Sequence, residues 1–469
     1  MKPRFISVRN DGLGARLRPI LNAVALAREC DGSFEFSWPD NAGTGSGEAL
    51  APAAEIFSQD FIARHHRDGW LDLFDCTRGQ GPKRKQFRSH ILHKVQIGKI
   101  LKTGHSNSVC HITSFDDLRE VLARPNAENV YREAFQALEF SDHIKTAIRA
   151  AQKADLSQNT TAIHLRAGDI VEKVHRFSGN YTQWVIPFPL ARRLVEREMD
   201  KGRDVVIFGQ DPVVVQHICD ATGAREISAF ARDHAFDATQ MWFFETCLMA
   251  RCQQIIAGGA SSFSRFPSWI GNVEITNGYH LFDDETALEL ILTDATDAAP
   301  VSDLQKAFSF WAITDTYGQD IAPGDHVACL KKAVQYDPAS SLYKLALINA
   351  LIDTKGFDEA SALLSSLIVQ ETQQHKWSPG CLRQVLFGLS FPNSKFRALL
   401  LSNFEYLWAQ GDFGAGLCIA LTARAPGKID RISKAIAASD WTPKDFFAHA
   451  LKRRLEDVQA VQAAREAQA

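Results

Sequence analysis

Hydrophobic and polar positions alternate between two periods along the first part of the chain. A short apolar run at 5–8 is followed by a glycine turn and then by apolar residues at helical spacing up to Glu29. A second run of β-forming residues occupies 34–38. Strand, helix and strand within about 35 residues indicate a βαβ unit, which predicts a parallel sheet.

The segment from 160 to 280 repeats this alternation most regularly. The pattern predicts strands at 162–166, 204–208, 225–228, 254–257 and 273–276, and helices at 187–200, 212–222, 238–252 and from about Ser264. Such alternation is typical of a doubly wound α/β fold. The small residues of 41–54 predict a surface loop, and the remainder up to about 150 predicts mixed helix and loop.

Strand patterns end near residue 300, and 325–469 predicts one helix after another. A helix over 342–351 between Asp337-Pro338 and the turn Gly356-Phe357 resembles a tetratricopeptide-type helical hairpin. A second turn, Gly411-Asp412-Phe413, comes 55 residues after Gly356, whereas regular repeats of this type have a period of about 34. The repeats are therefore degenerate, and we predict helical hairpins.

Composition narrows the class of protein. Hydrophobic residues make up 45% and charged residues 23% of the 469 positions, which is typical of globular domains and excludes a fibrous chain. The formal net charge of −3 gives no support to nucleic-acid binding by the whole chain. Since no run of about 18 apolar residues occurs, no transmembrane helix is predicted.

The cysteines and the N-terminus predict the compartment. The nine cysteines are scattered and form no C-x-x-C pair, so neither a disulfide framework nor a zinc site is expected. The N-terminal apolar run is shorter than the roughly 7–15 residues of a signal peptide. We therefore expect a reduced, cytoplasmic protein.

The first candidate motif is the glycine turn Asp11-Gly12-Leu13-Gly14 at the start of a predicted helix. Glycines at such a turn let a ligand approach the backbone N–H groups of the helix N-terminus. A tight connection between strand and helix explains the same residues equally well.

The second candidate motif, His164-Leu165-Arg166-Ala167-Gly168-Asp169, follows a predicted strand. Ligands of open α/β sheets bind beyond the carboxyl ends of the strands. His164 and Arg166 share one face because side chains alternate along a strand, and an arginine offers a planar fork of donors to phosphate oxygens. Alternatively, Arg166 forms a salt bridge with Asp169 that fixes the turn; the spacing does not decide between the two.

The third candidate motif, Gly258-Gly259-Ala260-Ser261-Ser262-Phe263-Ser264, lies between a predicted buried strand and a helix. Hydroxyls and backbone N–H groups at a helix start can bind phosphate. The spacing differs from that of a P-loop and from that of a nucleophile elbow, which argues against an ATPase and an α/β-hydrolase. Ser264 as a simple helix N-cap is the alternative.

Three further features are expected to be structural. We predict that Asp116-Asp117 caps a helix and that Trp242, Phe243 and Phe244 belong to the core. The basic runs 64–67 and 83–85, the latter with Arg88, are expected to be solvated faces, with an anionic glycan acceptor as the alternative.

Taken in order, the three motifs resemble the superfamily of α1,2-, α1,6- and protein O-fucosyltransferases, over roughly residues 4–30 and 160–280. The family's H-x-R-x-G-D motif is matched by His164–Asp169 and its S-S-F-S motif by Ser261–Ser264. Its G-G-x-G-N-x-L turn is matched in part by Gly12–Leu17. Ala15 and Ala167 depart from the usual Asn and Arg, which leaves the donor and acceptor class open.

The resemblance implies an α/β protein of GT-B architecture, with two Rossmann-like domains facing across a cleft. The expected domains are an acceptor-side domain at 1–155, a nucleotide-sugar-binding domain at 156–299 and an all-α, tetratricopeptide-like domain at 300–469. The implied reaction transfers fucose from GDP-fucose, with inversion and without a metal or other cofactor. The implied acceptor is a glycan, a glycolipid reached at the inner membrane face, or a protein.

The resemblance also assigns roles on the donor side. Arg166 would hold the β-phosphate and stabilise the charge of the leaving diphosphate, so its loss would cost about 3–4 kcal/mol of transition-state stabilisation. The remaining donor-side residues would line the sugar-nucleotide pocket: His164, Asp169, Phe208, Gly209, Asp211, Ser261, Ser262, Phe263 and Ser264.

On the acceptor side, Gly12, Gly14 and Arg16 would form the acceptor loop. Asp11 is the best-placed carboxylate to deprotonate the acceptor hydroxyl, and an Asx-turn cap is its alternative role. The C-terminal helices would bind the acceptor, a protein partner or a second subunit. Two other functions stay open: a helical-repeat adaptor whose Rossmann region binds a nucleotide without turnover, and a transferase that uses a different nucleotide sugar.

Overall fold

The computed structural model describes residues 2–9, 12–38, 50–67, 97–100, 110–113, 117–122, 125–173, 176, 179–259, 261–318, 321–373, 382, 394–422, 426–439, 452–453 and 456. The chain divides into two compact units. The first unit comprises Met1–Leu165, Leu194–Gly209 and Ile218–Gly278, and the second comprises Arg166–Arg193, Gln210–His217 and Tyr279–Ala469. Within the described ranges, no helix is long and apolar enough to cross a membrane.

Two parallel sheets form the framework of the first unit. The strands are β1 (Arg4–Val8), β2 (Ser33–Ser37), β3 (Cys110–Ile112), β4 (Thr160–Leu165), β5 (Asp204–Gly209), β6 (Arg225–Glu226), β7 (Gln254–Ala257) and β8 (Glu274–Asn277). One sheet has the order β2-β1-β3 and the other β6-β5-β4-β7-β8, and the pairings of both are parallel. The predicted α/β class with parallel strands is confirmed.

The helices alternate with the strands up to β8 and continue without strands after it. They are α1 (Leu13–Glu29), α2 (Ala53–Ile56), α3 (Gln59–His65), α4 (Val130–Gln136), α5 (Asp142–Lys153), α6 (Phe188–Asp200), α7 (Pro212–Thr222), α8 (Ser228–Ala231), α9 (Ala238–Met249), α10 (Ser262–Gly271), α11 (Asp284–Asp294), α12 (Asp303–Tyr317), α13 (Pro323–Tyr336), α14 (Ser341–Asp353), α15 (Phe357–Gln373), α16 (Ser394–Ala409), α17 (Phe413–Thr422) and α18 (Pro426–Ala437).

The strand β4 is central to the five-stranded sheet. All six of its residues are buried, as expected for a parallel sheet covered on both faces, which explains the continuous apolar run of the sequence. The register pairs His164 with Phe208 of β5 and with Ala257 of β7. The carboxyl ends of these three strands therefore lie side by side.

The two sheets of the first unit share one hydrophobic core. Phe140, which precedes α5, packs edge-to-face on Phe243 of α9, with ring centroids 5.2 Å apart. Phe135 of α4 makes a similar contact with Phe266 of α10 at 5.9 Å. The division into an acceptor-side domain at 1–155, a nucleotide-sugar-binding domain at 156–299 and a helical domain at 300–469 stays a prediction.

Most predicted elements appear within a few residues of their expected bounds, with three differences. The strand β3 was not predicted, because three residues are too few to show a period. The segment 225–228 is a two-residue strand that turns into the short helix α8. The helix α10 begins at Ser262, two residues before the expected start. The predicted loop at 41–54 lies mostly outside the described residues.

In the second unit, helices follow one another from α11 onward. Two helix ends share the same turn: Lys355 (φ 65°) and Gly411 (φ 95°) are left-handed. At both helix ends, the residue after the left-handed one donates its N–H to the carbonyl five residues earlier. Gly356 donates to Leu351 at 2.7 Å, and Asp412 donates to Leu407 at 3.0 Å. These are the bonds of a Schellman-type helix end, which lets the next helix fold back.

Candidate functional site

Two loops predicted to bind ligand meet in the first unit. A Cβ atom added to Gly14, at the start of α1, would lie 3.2 Å from Cζ2 of Trp242 and 3.4 Å from the carbonyl oxygen of Ser262. The N-termini of α1 and α10 therefore adjoin. Each helix N-terminus carries about half a positive charge, so their junction favours an anion.

A buried cation, Arg18, lies at this junction. It follows Gly14 by one turn of α1, is 5% exposed, and its Nη1 lies 3.4 Å from Oγ of Ser262. Burial is the main cause that lowers the pKa of Arg18 to about 10; Arg265 contributes to the lowering, and Tyr131 and Asp117 oppose it. Arg18 is not among the predicted site residues, although it lies four positions after Gly14, a spacing that places both on the same face of α1.

An aromatic stack holds α10 in place. The Arg18 guanidinium lies over the Trp269 ring at 4.3 Å, and Tyr131 stacks on the same indole at 4.0 Å with an interplanar angle of 6°. The Tyr131 hydroxyl donates to Oδ1 of Asn22 at 2.9 Å and accepts from the Leu118 N–H at 2.6 Å. The stack therefore links α1, α4 and α10.

Most donor-side residues of the first unit are buried or half-buried, whereas Gly209, at the end of β5, is exposed. The buried His164 ring stacks on Phe263, with centroids 4.9 Å apart. Ser261 precedes the first residue of α10, and the buried Ser264 donates its hydroxyl to the Ser261 carbonyl at 3.3 Å. The alternative that Ser264 is the N-cap of this helix is therefore wrong. Phe208 lies in the core.

In the second unit, the planar guanidinium of Arg166 is contacted at its edge by Asp169 and on its face by Trp184. Its Nε and Nη2 donate to the two carboxylate oxygens of Asp169 at 3.3 and 2.8 Å. Its guanidinium lies 5.1 Å from the ring centroid of Trp184. The alternative of a turn-fixing salt bridge is thus confirmed. A guanidinium fixed in this way is also pre-oriented for a ligand, because little freedom is left to lose.

The same unit contains a cavity of about 260 Å³ beside this turn. Gly168, Glu172, Ser302 and residues 210–213 line it. Gly168–Glu172 is a π-helical turn, a geometry common at functional sites.

The cavity-lining Asp211 is strongly engaged. Its Oδ1 accepts from the Val213 and Val214 N–H groups at 3.0 and 3.2 Å, and its Oδ2 accepts from Nε2 of Gln305 at 2.8 Å. Asp211 therefore caps α7 and ties it to α12.

The acceptor-loop candidates are placed differently from one another. Gly12 is half-buried just before α1, and Gly14 is buried against Ser262. Arg16 is 1% exposed, with its guanidinium 5.1 Å from the Trp38 ring centroid, so it is packed in the interior. Asp11, the predicted base, lies outside the described residues.

Two predictions about structural residues are confirmed. Asp117 accepts from the Arg119 N–H at 3.0 Å and so caps the turn Leu118–Glu120. Phe243 and Phe244 are core residues. Trp242 differs, since it is half-buried and faces Gly14.

The basic runs give a mixed result. Arg64 is exposed and pairs with Glu139, and His65 stacks on Phe34 at 4.0 Å. Burial lowers the pKa of His65. The first run is therefore built into the fold through these contacts. The second run, 83–88, and Asp116 lie outside the described residues.

In the part of the chain that the structure describes, no group of three or more His, Cys, Asp or Glu side chains is placed to hold a metal ion. Six cysteines, Cys30, Cys219, Cys247, Cys252, Cys329 and Cys418, are free thiols.

No protein-family model and no curated protein matches the chain. Among solved structures, it is similar to the α-1,6-fucosyltransferase NodZ soaked with GDP-fucose, at 13% identity and a TM-score of 0.36 over 58% of this chain and 93% of that one. NodZ from Bradyrhizobium matches at 14% identity and a TM-score of 0.36, over 57% and 92% of the two chains. POFUT1 in complex with GDP matches at 12% identity and a TM-score of 0.31, over 59% and 98%.

Proposed function

We propose that this chain is a glycosyltransferase that transfers fucose from GDP-fucose to a glycan, glycolipid or protein acceptor. One observation carries the proposal: the Arg166 guanidinium is held on an edge by Asp169 and on a face by Trp184, two residues before the cavity-lining Gly168. A fixed guanidinium beside a cavity suits a nucleoside diphosphate, whose phosphate oxygens match its fork of donors.

The junction in the first unit supports an anionic ligand independently. Arg18 is buried as a cation, and burial and the nearby Arg265 lower its pKa to about 10. A bound anion would relieve this cost by stabilising the charged form. Ser262, which the fucosyltransferase resemblance assigns to the pyrophosphate, lies within 3.4 Å of Arg18.

The proposed reaction forms a bond from the acceptor oxygen to C1 of fucose and breaks the bond from C1 to the β-phosphate oxygen. The departing GDP takes the electron pair and gains negative charge, which the Arg166 guanidinium would stabilise. The acceptor proton would pass to a carboxylate, for which Asp11 is our candidate. His164 would shape the donor pocket through its contact with Phe263.

The proposal extends to the finer features that the resemblance implies. These are a GT-B arrangement, inversion at C1, independence of a metal ion, and a cytoplasmic location at the inner membrane face. We further propose that the tetratricopeptide-like helices bind the acceptor, a protein partner or a second copy of the chain.

Calorimetric titration of the full chain with GDP, UDP and ADP, without added metal, tests the proposal. We expect GDP to bind most tightly and Arg166→Ala to abolish binding. A chain that binds none of the three would refute the proposal. Release of GDP from GDP-fucose then separates an enzyme from a nucleotide-binding adaptor, and GDP-mannose in the same assay tests a different donor sugar.

A further inference from the structure

The segment between β4 and α6 carries both groups that hold Arg166. Asp169 lies shortly after β4, and Trp184 is the last residue of the short helical turn Gly179–Trp184. The Trp184 ring centroid is 5.1 Å from the Arg166 guanidinium, and Tyr181 of the same turn packs edge-to-face on Trp184, with ring centroids 5.0 Å apart. The position of this turn therefore sets the position of the aromatic face that Arg166 contacts.

Helix α12 holds this turn through buried hydrogen bonds. The Trp311 indole N–H donates to Oγ1 of Thr182 at 3.0 Å, and both side chains are buried. The buried Tyr279 hydroxyl donates to the Val185 carbonyl at 2.6 Å, while the Tyr279 carbonyl accepts from the hydroxyl of Tyr317 in α12 at 2.7 Å. The end of the turn is therefore fixed at two neighbouring points.

The next helical hairpin adds an ion pair and a ring contact. Asp337, between α13 and α14, faces Arg176 of the same segment, with its Oδ2 3.4 Å from Nε. The Asp337 side chain is 4% exposed, and its Oδ1 accepts from the Ala339 N–H at 3.2 Å. Tyr343 of α14 packs on the Trp311 ring, with centroids 5.4 Å apart. Because buried charges are screened little by salt, the ion pair can hold the segment at physiological ionic strength.

We propose that Trp311 and Asp337 are positioning residues, which hold the segment after β4 so that the Trp184 ring keeps the Arg166 guanidinium directed at the β-phosphate of the donor. In this arrangement the helices α12–α14 belong to the transferase site. A charged group whose supporting residues are locked by packing and hydrogen bonds loses little freedom when the charge of the leaving GDP develops, so it stabilises that charge more strongly. This inference rests on the proposed function.

The test removes one contact at a time from the full chain. Trp311→Phe keeps an aromatic ring and removes the N–H donor, whereas Asp337→Asn removes the negative charge of the ion pair. Asp412→Asn is the matched control, because Asp412 also lies between two helices, accepts from the Ala415 N–H at 2.8 Å and accepts from Oγ of Ser361. Thermal unfolding verifies that each variant is folded.

Hydrogen exchange measured by mass spectrometry reports on the segment itself, without a ligand. We expect Trp311→Phe and Asp337→Asn to raise the exchange rate of peptides that cover 166–185 by about three- to tenfold, as for the loss of one hydrogen bond. Asp412→Asn should leave the exchange of these peptides unchanged. Parent-like exchange in both Trp311→Phe and Asp337→Asn would overturn the inference, whether or not the chain binds a nucleotide.

Calorimetric titration with GDP and GMP then separates positioning from a general loss of structure. GMP lacks the β-phosphate, so folded Trp311→Phe and Asp337→Asn should lose about three- to tenfold in GDP affinity and keep their GMP affinity. An equal loss for both nucleotides, or parent-like GDP affinity in both variants, would overturn the positioning role and leave the proposed function standing. Failure of the full chain to bind any nucleoside diphosphate would refute the proposed function and with it the role toward the donor, while the exchange measurement still shows whether α12–α14 hold the segment.

Discussion

The Arg18 guanidinium lies 4.3 Å from the centroid of the Trp269 ring, which joins the first turns of α1 to the second half of α10. A cation over an indole is favourable, and the effect grows as both groups leave water. Arg18 is nevertheless held as a buried cation with a pKa lowered to about 10. The contact therefore places a charge that favours anions where two helix N-termini meet.

Replacing Arg18 by methionine should weaken GDP binding by about tenfold or more, because a charge-assisted interaction with the diphosphate is lost. Methionine keeps much of the apolar contact with Trp269, so the melting temperature should change little. Calorimetry with GDP and thermal unfolding measure the two effects.

Arg149→Met, which removes the same charge from an exposed position on α5, is the matched control and should leave GDP affinity unchanged. Equal GDP affinities for Arg18→Met and the parent chain would show that Arg18 serves only the fold.

The sequence predicted the alternating framework well because strands such as β4 are buried on both faces and helices begin at clear glycine and serine turns. It did not reveal β3, whose three residues gain their structure from pairing with β1. The short strand β6 likewise depends on its neighbour β5. Short strands are defined by their partners more than by their own pattern.

Only those parts of the candidate site that belong to short sequence motifs could be predicted from the sequence. The glycine turn and the serine loop were singled out from spacing, and the structure brings Gly14 and Ser262 together. Side chains two positions apart on a helix point to different sides, so Arg16 faces Trp38 whereas Arg18 faces Ser262. The sequence spacing alone could not show which of these two arginines reaches the serine loop. Nor could it show that Asp211 is bound by Gln305, almost a hundred positions later.

Gly14 should tolerate alanine but not leucine. A Cβ at this position would be 3.2 Å from Trp242, a distance that a small shift relieves, and alanine gains about 1 kcal/mol of helix propensity over glycine. Leucine extends further toward Trp242 and Ser262 and should cost about 1–3 kcal/mol by overpacking. Urea unfolding of both variants gives the free energies of unfolding.

Leucine at position 14 should also weaken GDP binding, since it separates the two helix starts. Equal GDP affinities for Gly14→Ala and Gly14→Leu would contradict this.

The stability of the protein should depend on pH through Glu245 on α9. Burial raises the pKa of Glu245 from 4.5 to about 7, and Glu226 adds to the rise. Between these two values the folded chain binds more protons at this site than the unfolded chain, so the free energy of unfolding falls as the pH rises. The loss is nearly complete at about pH 8, one unit above the folded-state pKa, and amounts to about 3 kcal/mol.

Glu245→Gln should therefore raise the free energy of unfolding at pH 8 and change it little below pH 4.5. Urea unfolding between pH 4.5 and 8.5 measures this difference. Glu274→Gln, which removes the same charge from an exposed position of β8, serves as the matched control. A Glu245→Gln effect of equal size at both ends of the range would show that Glu245 does not titrate in this window.

The helix pair α16 and α17 should depend on the absence of a side chain at Gly416. A Cβ added there would lie 2.3 Å from Cε3 of Trp408, far inside contact distance. Gly416→Ala should lower the free energy of unfolding of this region by about 1–3 kcal/mol, because the overpacking outweighs the gain in helix propensity. Gly427→Ala, where no atom of the described residues lies within 4 Å of the added Cβ, should instead be neutral or stabilising. In a double-mutant cycle, Trp408→Leu should remove most of the cost of Gly416→Ala, because the ring that causes the clash is gone. Additive effects of the two substitutions would mean that the clash is relieved elsewhere in the helix pair.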